Sequence, residues 1–269
     1  MKPEINIRVV AEGTLARPVF EGPTLITSDH HLNVHDGRDN FQAELFVSFL
    51  MGYHPRGWSL LFLADLFDIW EAGSLPPILR DNAAVLALIS FYRRKRLVAG
   101  NHDEALCQAD LPDRLGIELS DVIDETGAFA WHGHQLDPAC SGAGARFGKL
   151  ATVFWAALEV LRLGPMLEGV KDSILRGRRR KSVTASKRGD DNDRYIQDAL
   201  ERVDLAMDSG AEAPVLIFSG HTHEPQLLRI PGLPGHYYAN PGTWTRPGRG
   251  GAIEIVGTRI RLIEVTSGV

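Results

Sequence analysis

Six short polar segments, each set just behind an apolar run, constrain this chain more than any other feature. They are Ser28-Asp29-His30-His31, Ala64-Asp65-Leu66-Phe67-Asp68, Gly100-Asn101-His102-Asp103, Trp131-His132-Gly133-His134, Gly220-His221-Thr222-His223 and Asn240-Pro241-Gly242-Thr243. The preceding runs read as strands, and residues at the ends of several strands meet only if those ends gather at one edge. In open α/β folds that edge is where ligands bind. Asp, Asn and His brought together there can hold two divalent ions that share a carboxylate. Such a pair polarises a phosphoryl group and makes hydroxide from water at neutral pH. The order of the segments therefore points to phosphoester hydrolysis.

The strand signals fall at Pro23 to Thr27, Ser59 to Leu63, Leu97 to Ala99, Phe129 to Trp131, Val215 to Phe218, Gly251 to Val256 and Arg259 to Val265. Helical patterns lie between them, notably Asn40 to Met51 and Pro77 to Arg94. Strands alternating with helices, then adjacent strands at the end, predict an α/β protein with a mixed sheet or two stacked sheets. Residues Ala139 to Ala213 break the rhythm. They hold no strand signal, an apolar helix around Phe147 to Leu163 and a second helical pattern around Asn192 to Met207. The expected organisation is one domain over residues 1–269 with a helical insertion over 139–213.

The length of 269 residues and 44% hydrophobic content suit a large core, and a net charge of -5 offers nucleic acid no global attraction. Within the insertion the balance reverses. Arg146 to Arg188 holds eleven basic residues against three acids, with Arg178, Arg179 and Arg180 consecutive. Cys107 and Cys140 make neither a C-x-x-C pair nor a disulfide framework, so a reducing compartment is expected and the metal donors would be N and O. The start of the chain has no apolar h-region, and the apolar stretch Leu150 to Leu158 is too short to span a bilayer. A cytoplasmic protein is expected, with peripheral membrane contact open.

Each segment also has a plainer reading. Asp29 and His31 stand two apart after a strand, which on an extended chain points both to one side, though a D-x-H also serves turns. His30 then faces the other way, as a packing residue. Asp65 can bridge two ions through its two oxygens, or cap a helix; Asp68 can support the site or cap a turn. Asn101 offers a neutral amide oxygen, Gly100 allows a tight turn, and His102 can give a proton to a leaving group. His132, His221 and His223 supply the remaining nitrogens. No Asp-His follows the H-x-H, which disfavours the H-x-H-x-D-H hydrolases, and the strand-and-glycine setting of His102-Asp103 disfavours a helical HD hydrolase.

Taken together, the segments resemble the calcineurin-like metallophosphoesterase superfamily, whose pattern runs D-x-H, G-D-x-x-D, G-N-H-D/E, an isolated His and G-H-x-H. The match spans Asp29 to His223, with Ala64 where that family usually has glycine. The resemblance implies a four-layer αββα sandwich with the insertion as a helical cap. It implies one ion on Asp29, His31 and His223, a second on Asn101, His132 and His221, and Asp65 bridging. Manganese, iron or zinc commonly fill such sites, with manganese the first expectation. Asp65 and His102 would be the catalytic residues, His102 serving the leaving oxygen.

Within the superfamily, Ser28 to Leu32, Ala64 to Trp70, His132-Gly133 and Gly220 to Pro225 look like the UDP-2,3-diacylglucosamine pyrophosphatase branch, as does the placing of the insertion. The best-known members of that branch carry Arg at the position of His102 and Asp at that of His134. The resemblance thus implies a UDP-diacylglucosamine-like lipid substrate, with Arg178, Arg179 and Arg180 near its phosphates. The alternatives are a soluble phosphodiesterase or phosphatase acting on a cyclic nucleotide or other small phosphoester, and a catalytically silent binding scaffold of the same fold.

Overall fold

The computed structural model describes residues 4–35, 40–53, 57–103, 106, 115–125, 127–134, 187–208, 210 and 212–268. Its first sheet has seven strands in the order β1 (Ile5–Thr14), β12 (Arg259–Ser267), β11 (Arg249–Val256), β2 (Thr24–Thr27), β3 (Ser59–Leu63), β4 (Lys95–Val98) and β5 (Glu118–Ser120). β2 to β5 are parallel, and β1, β12 and β11 run antiparallel along the other half. The second sheet orders β6 (Ile123–Glu125), β7 (Ala128–Trp131), β8 (Leu216–Ser219), β10 (Tyr237–Asn240) and β9 (Gln226–Arg229). Its β7, β8 and β10 are parallel.

Alternation along the strands sorts the side chains into layers. Ile26, Leu61, Leu63 and Val98 of the first sheet meet Ala128, Ala130, Leu216, Phe218 and Ala239 of the second in one buried cluster between the sheets. The residues out of phase with these, Leu25, Leu60, Phe62 and Leu97, face Leu45, Phe46, Phe49 and Ile89 on the outer side. Those last residues belong to α1 (Ala43–Leu50) and α4 (Ala83–Ser90), joined by the short α2 (Ile69–Ala72) and α3 (Leu75–Asp81). On the far side, Trp131, Ile217 and Tyr238 pack Tyr195, Ala199 and Val203 of α5 (Lys187–Asp208). The order of layers is helix, sheet, sheet, helix.

The helix expected over Pro77 to Arg94 is two helices. Asn82 separates them, its amide donating to Asn33 O at 2.8 Å and to Ile78 O at 2.9 Å. β1, β5, β6, β9 and β10 carried no strand expectation. Of the expected insertion, α5 is described and packs on the second sheet, whereas the helix expected at Phe147 to Leu163 lies outside the described residues. No helix among the described residues is long and apolar enough to cross a membrane.

Candidate metal centre

Two loops form the floor of the site. β2 and β3 end at Thr27 and Leu63, and the chain after each turns at once. The amides of Asp29, His30, His31 and Leu32 donate to the carbonyls of Ala64, Asp65, Asp65 and Leu66 at 2.9–3.2 Å, so the two loops are zipped together. Asp29, His31, Ala64, Asp65, His221 and His223 have φ between 47° and 67°. They are the positive-φ non-glycine residues of the described chain. A side chain in that region costs about 1–2 kcal/mol, and backbone strain of this kind collects at functional sites. Asp29 and His31 therefore converge because both are left-handed, not because they share a face of an extended strand.

Glycine is required here for closeness. A Cβ on Gly100 would lie 1.9 Å from Asp65 Oδ1, and one on Gly220 would lie 2.4 Å from Ser28 Oγ. The φ of Gly100 is not positive, so this glycine serves the approach of Asp65 and not the turn expected from sequence.

The predicted ligands come together. Asp29, His31 and His223 place one ligand atom each within 4.8 Å of one another, as do Asp29, Asp65 and His132, and His31, Asp65 and His102. His132 Nε2 lies 3.1 Å from Asp65 Oδ2, 3.1 Å from Asn101 Oδ1 and 3.2 Å from His221 Nδ1. His223 Nε2 lies 3.1 Å from Asp29 Oδ1, and His31 Nε2 lies 3.8 Å from Asp65 Oδ2. Ligand atoms on one tetrahedral ion with bonds near 2.1 Å stand about 3.4 Å apart, so the spacing fits. The donor chemistry fits as well: His31 Nε2 is buried without a hydrogen-bond partner, and Asp29 and Asp65 are 0% and 2% exposed. Two buried carboxylates side by side call for cations.

The electrostatics already favour the ionised carboxylates. Burial alone would raise Asp29, but the charge and hydrogen bond of His223 overcome it and bring the carboxyl to about 2. Asp65 is held well below the usual carboxylate range by His132, His102 and His31, again against its burial. Asp68 accepts from His102 Nδ1 at 2.8 Å and from His31 Nδ1 at 3.3 Å, and these bonds depress it despite its burial. In return, burial would lower His102, but Asp65 and Asp68 outweigh that and raise the imidazolium to about 9. Trp70 stacks on the same ring at 4.6 Å. His134 goes the other way, to about 4, through burial and the neighbouring His132.

Three residues carry parts that sequence reasoning missed or left open. Asp68 orients two histidines and also caps α2, accepting from Glu71 N at 3.1 Å. Asp103, fully buried, accepts from the backbone of Leu66 at 3.0 Å and of Phe67 at 2.8 Å, pinning the turn that presents Asp65. Tyr195 of α5 packs where a Cβ on Gly133 would be, 2.4 Å from its ring, and its centroid stands 6.4 Å from that of His221. The G-N-H-D spacing was the available hint for Asp103; nothing local marked Tyr195. Arg178, Arg179 and Arg180 lie outside the described residues.

No family model and no curated protein matches the chain. Solved structures do align with it over most of its length. A metallophosphoesterase from Sphaerobacter thermophilus is 16% identical, with 91% of this chain and 89% of that one covered and a TM-score of 0.44. Vps29 of Entamoeba histolytica, complexed with zinc, is 16% identical over 90% and 91%, with a TM-score of 0.38. A phosphopantetheinyl hydrolase of Mycobacterium tuberculosis is 13% identical over 83% and 90%, with a TM-score of 0.36. Similarities of this size carry no argument about activity, which has to come from the residues.

Proposed function

We propose that this protein is a dinuclear-metal phosphoesterase that hydrolyses a phosphodiester or pyrophosphate bond. The observation that carries this reading is the overlap of the ligand triads: Asp29, Asp65 and His31 each belong to two of them. Asp29, His31 and His223 would hold one ion, Asn101, His132 and His221 the other, and Asp65 would bridge. Bound there, two divalent ions supply Lewis acidity and an activated water.

The chain's own contribution is orientation and proton handling. Asp68 fixes Nδ1 of His102 as the bonded nitrogen, which leaves Nε2 to carry the proton to the leaving oxygen. The hydrogen bond and charge of Asp68 favour the protonated ring that a general acid requires. The amide of His102 donates to Asp65 Oδ1 at 3.0 Å and so ties the acid to the bridging carboxylate.

Within this reading a UDP-diacylglucosamine-like lipid is the favoured substrate, and contact with a membrane surface would follow from it. The motif resemblance and the eleven basic residues of Arg146 to Arg188 support that choice. Manganese is the favoured metal. A cyclic nucleotide or another small phosphoester is the alternative substrate. Elemental analysis of purified protein should find two transition-metal ions per chain, and chelation should abolish hydrolysis of bis(p-nitrophenyl) phosphate. Full occupancy by a single ion, or hydrolysis indifferent to metal, would overturn the proposal.

A further inference from the structure

His223 also lines a pocket of about 40 Å³, together with Pro225, Thr243, Arg246, Arg249 and Glu264 among others. His223 is the most exposed member of its triad with Asp29 and His31, its side chain 36% accessible against 0% and 14%. The site therefore opens on this side, and the parts of a substrate not attached to the metals would extend here. A water needs roughly 10–15 Å³ of such space, so the pocket has room for a group with a few oxygens.

Its walls are stiff and its rim is basic. Gly250 and Gly251 form part of the lining because no side chain fits: a Cβ would lie 2.3 Å from the Trp244 ring at the first and 2.0 Å from Pro241 O at the second. Arg246 Nη2 pairs with Glu224 Oε1 at 2.6 Å, with both side chains about two-fifths accessible. Arg249 Nη1 reaches only to 3.9 Å from Glu264, which is already engaged by Arg8 at 2.7 Å. Three guanidinium groups thus share two carboxylates, leaving a net positive charge beside the pocket. An exposed ion pair in solvent holds weakly, so Arg246 can exchange Glu224 for a ligand oxyanion at small cost. Its planar fork suits phosphate or carboxylate.

We propose that this pocket binds a second anionic group of the substrate, and that Arg246, assisted by Arg249, selects phosphoesters carrying such a group near the scissile phosphorus. The inference rests on the phosphoesterase reading. The ligand chemistry is an oxyanion, phosphate or carboxylate, on the part of the substrate that lies beyond His223.

A matched pair of esters tests it. Thymidine 5′-(p-nitrophenyl phosphate) and its 3′-phosphorylated form differ only by the second anion. The metal-loaded protein should show a KM about 10- to 100-fold lower for the 3′-phosphorylated ester, the size expected for a hydrogen bond to a charged group. Arg246→Gln should erase that difference while leaving kcat, and the KM of the simpler ester, within about twofold; Arg249→Gln should erase part of it. Replacing the 3′-phosphate by a carboxymethyl group separates the two oxyanions. Calorimetric titration of pyrophosphate into metal-free protein supplies a readout without turnover, and binding should weaken about tenfold in Arg246→Gln. If both esters are hydrolysed with the same KM by the parent and the variant, the pocket inference is wrong and the phosphoesterase reading stands. If neither ester is hydrolysed, that reading falls, and pyrophosphate binding unchanged in Arg246→Gln then removes the pocket inference too.

Discussion

His30 and His31 are joined by one peptide bond, yet their surroundings follow opposite rules. His30 points into an aromatic box of Phe41, Phe46, Phe62 and Trp244, with ring centroids 4.7–6.4 Å away, and neither ring nitrogen has a hydrogen-bond partner. His31 points to the rim, where Asp68 accepts from its Nδ1 and its Nε2 stands 3.8 Å from Asp65. The interior is apolar and built largely on extended strands; the rim is charged and left-handed at six residues. This fold places its stability in the apolar interior and its chemistry at the charged rim. Marginal stability leaves room for a strained rim only if the interior supplies the surplus.

The rim's largest expected contribution is to rate. His102→Ala should keep the metals, because Asn101 and Asp65, the proposed ligand and bridge, are untouched, and lose about 10²- to 10⁴-fold in kcat on substrates with poor leaving groups. An activated leaving group such as p-nitrophenolate needs no proton and should recover most of the loss. Equal losses on both would place His102 among the ligands, as its membership of a triad with His31 and Asp65 permits.

The interior's signature is a pH effect. Burial, offset only in part by the charge of Asp29, brings His30 down to about 3. Its folded value lies below its unfolded value of about 6.5, so the unfolded chain binds the proton first. The stability this group confers is complete above pH 6.5 and is lost as the pH falls towards 3. Between pH 6.5 and 4.5 that amounts to about 2 kcal/mol. In metal-free protein unfolded with urea, His30→Phe should flatten the decline over this range by that amount. An unchanged slope would mean that the box admits the proton or a water, and that interior and rim do not differ in polarity at His30.

Sequence made one of these regions more legible than the other. The central strands were readable because β2 and β8 are buried along their whole length, and β3 at every residue but Ser59, and so are largely apolar runs. β1 was not, since the adjacent Val9 and Val10 break alternation, and the structure resolves them as an irregularity in the pairing with β12 between Val9 and Ala11. The rim residues Asp29, His31, Asp65, Asn101, His102, His132, His221 and His223 could be named from the order of their segments, because donor chemistry is carried by residue type. How they converge could not. The left-handed turns depend on the zipped loops, and the parts played by Asp68 and Asp103 depend on partners 34 to 37 positions away. Tyr195 reaches Gly133 from α5, within the expected insertion, a meeting decided by packing alone.

The smallest expected effect isolates the rim's strain. Ala64 is fully buried at φ 67°, in the position where a glycine would sit without penalty. Ala64→Gly removes a left-handed Cβ, a gain of about 1–2 kcal/mol. It also removes a buried methyl, a loss of about 0.8 kcal/mol, and frees the unfolded chain, a further loss of about 0.4–1 kcal/mol. The terms nearly cancel, so stability should stay within about 0.5 kcal/mol of the parent. Ala239 in β10 is also fully buried but stands in a regular strand. There the same exchange has only the two losses and should cost about 1–2 kcal/mol. Urea midpoints for the two variants, measured side by side without metal, give the strain at Ala64 as their difference. Equal destabilisation would mean that the loop relaxes around Ala64 and stores nothing, and the contrast between a strained rim and an unstrained interior would then have to rest on charge alone.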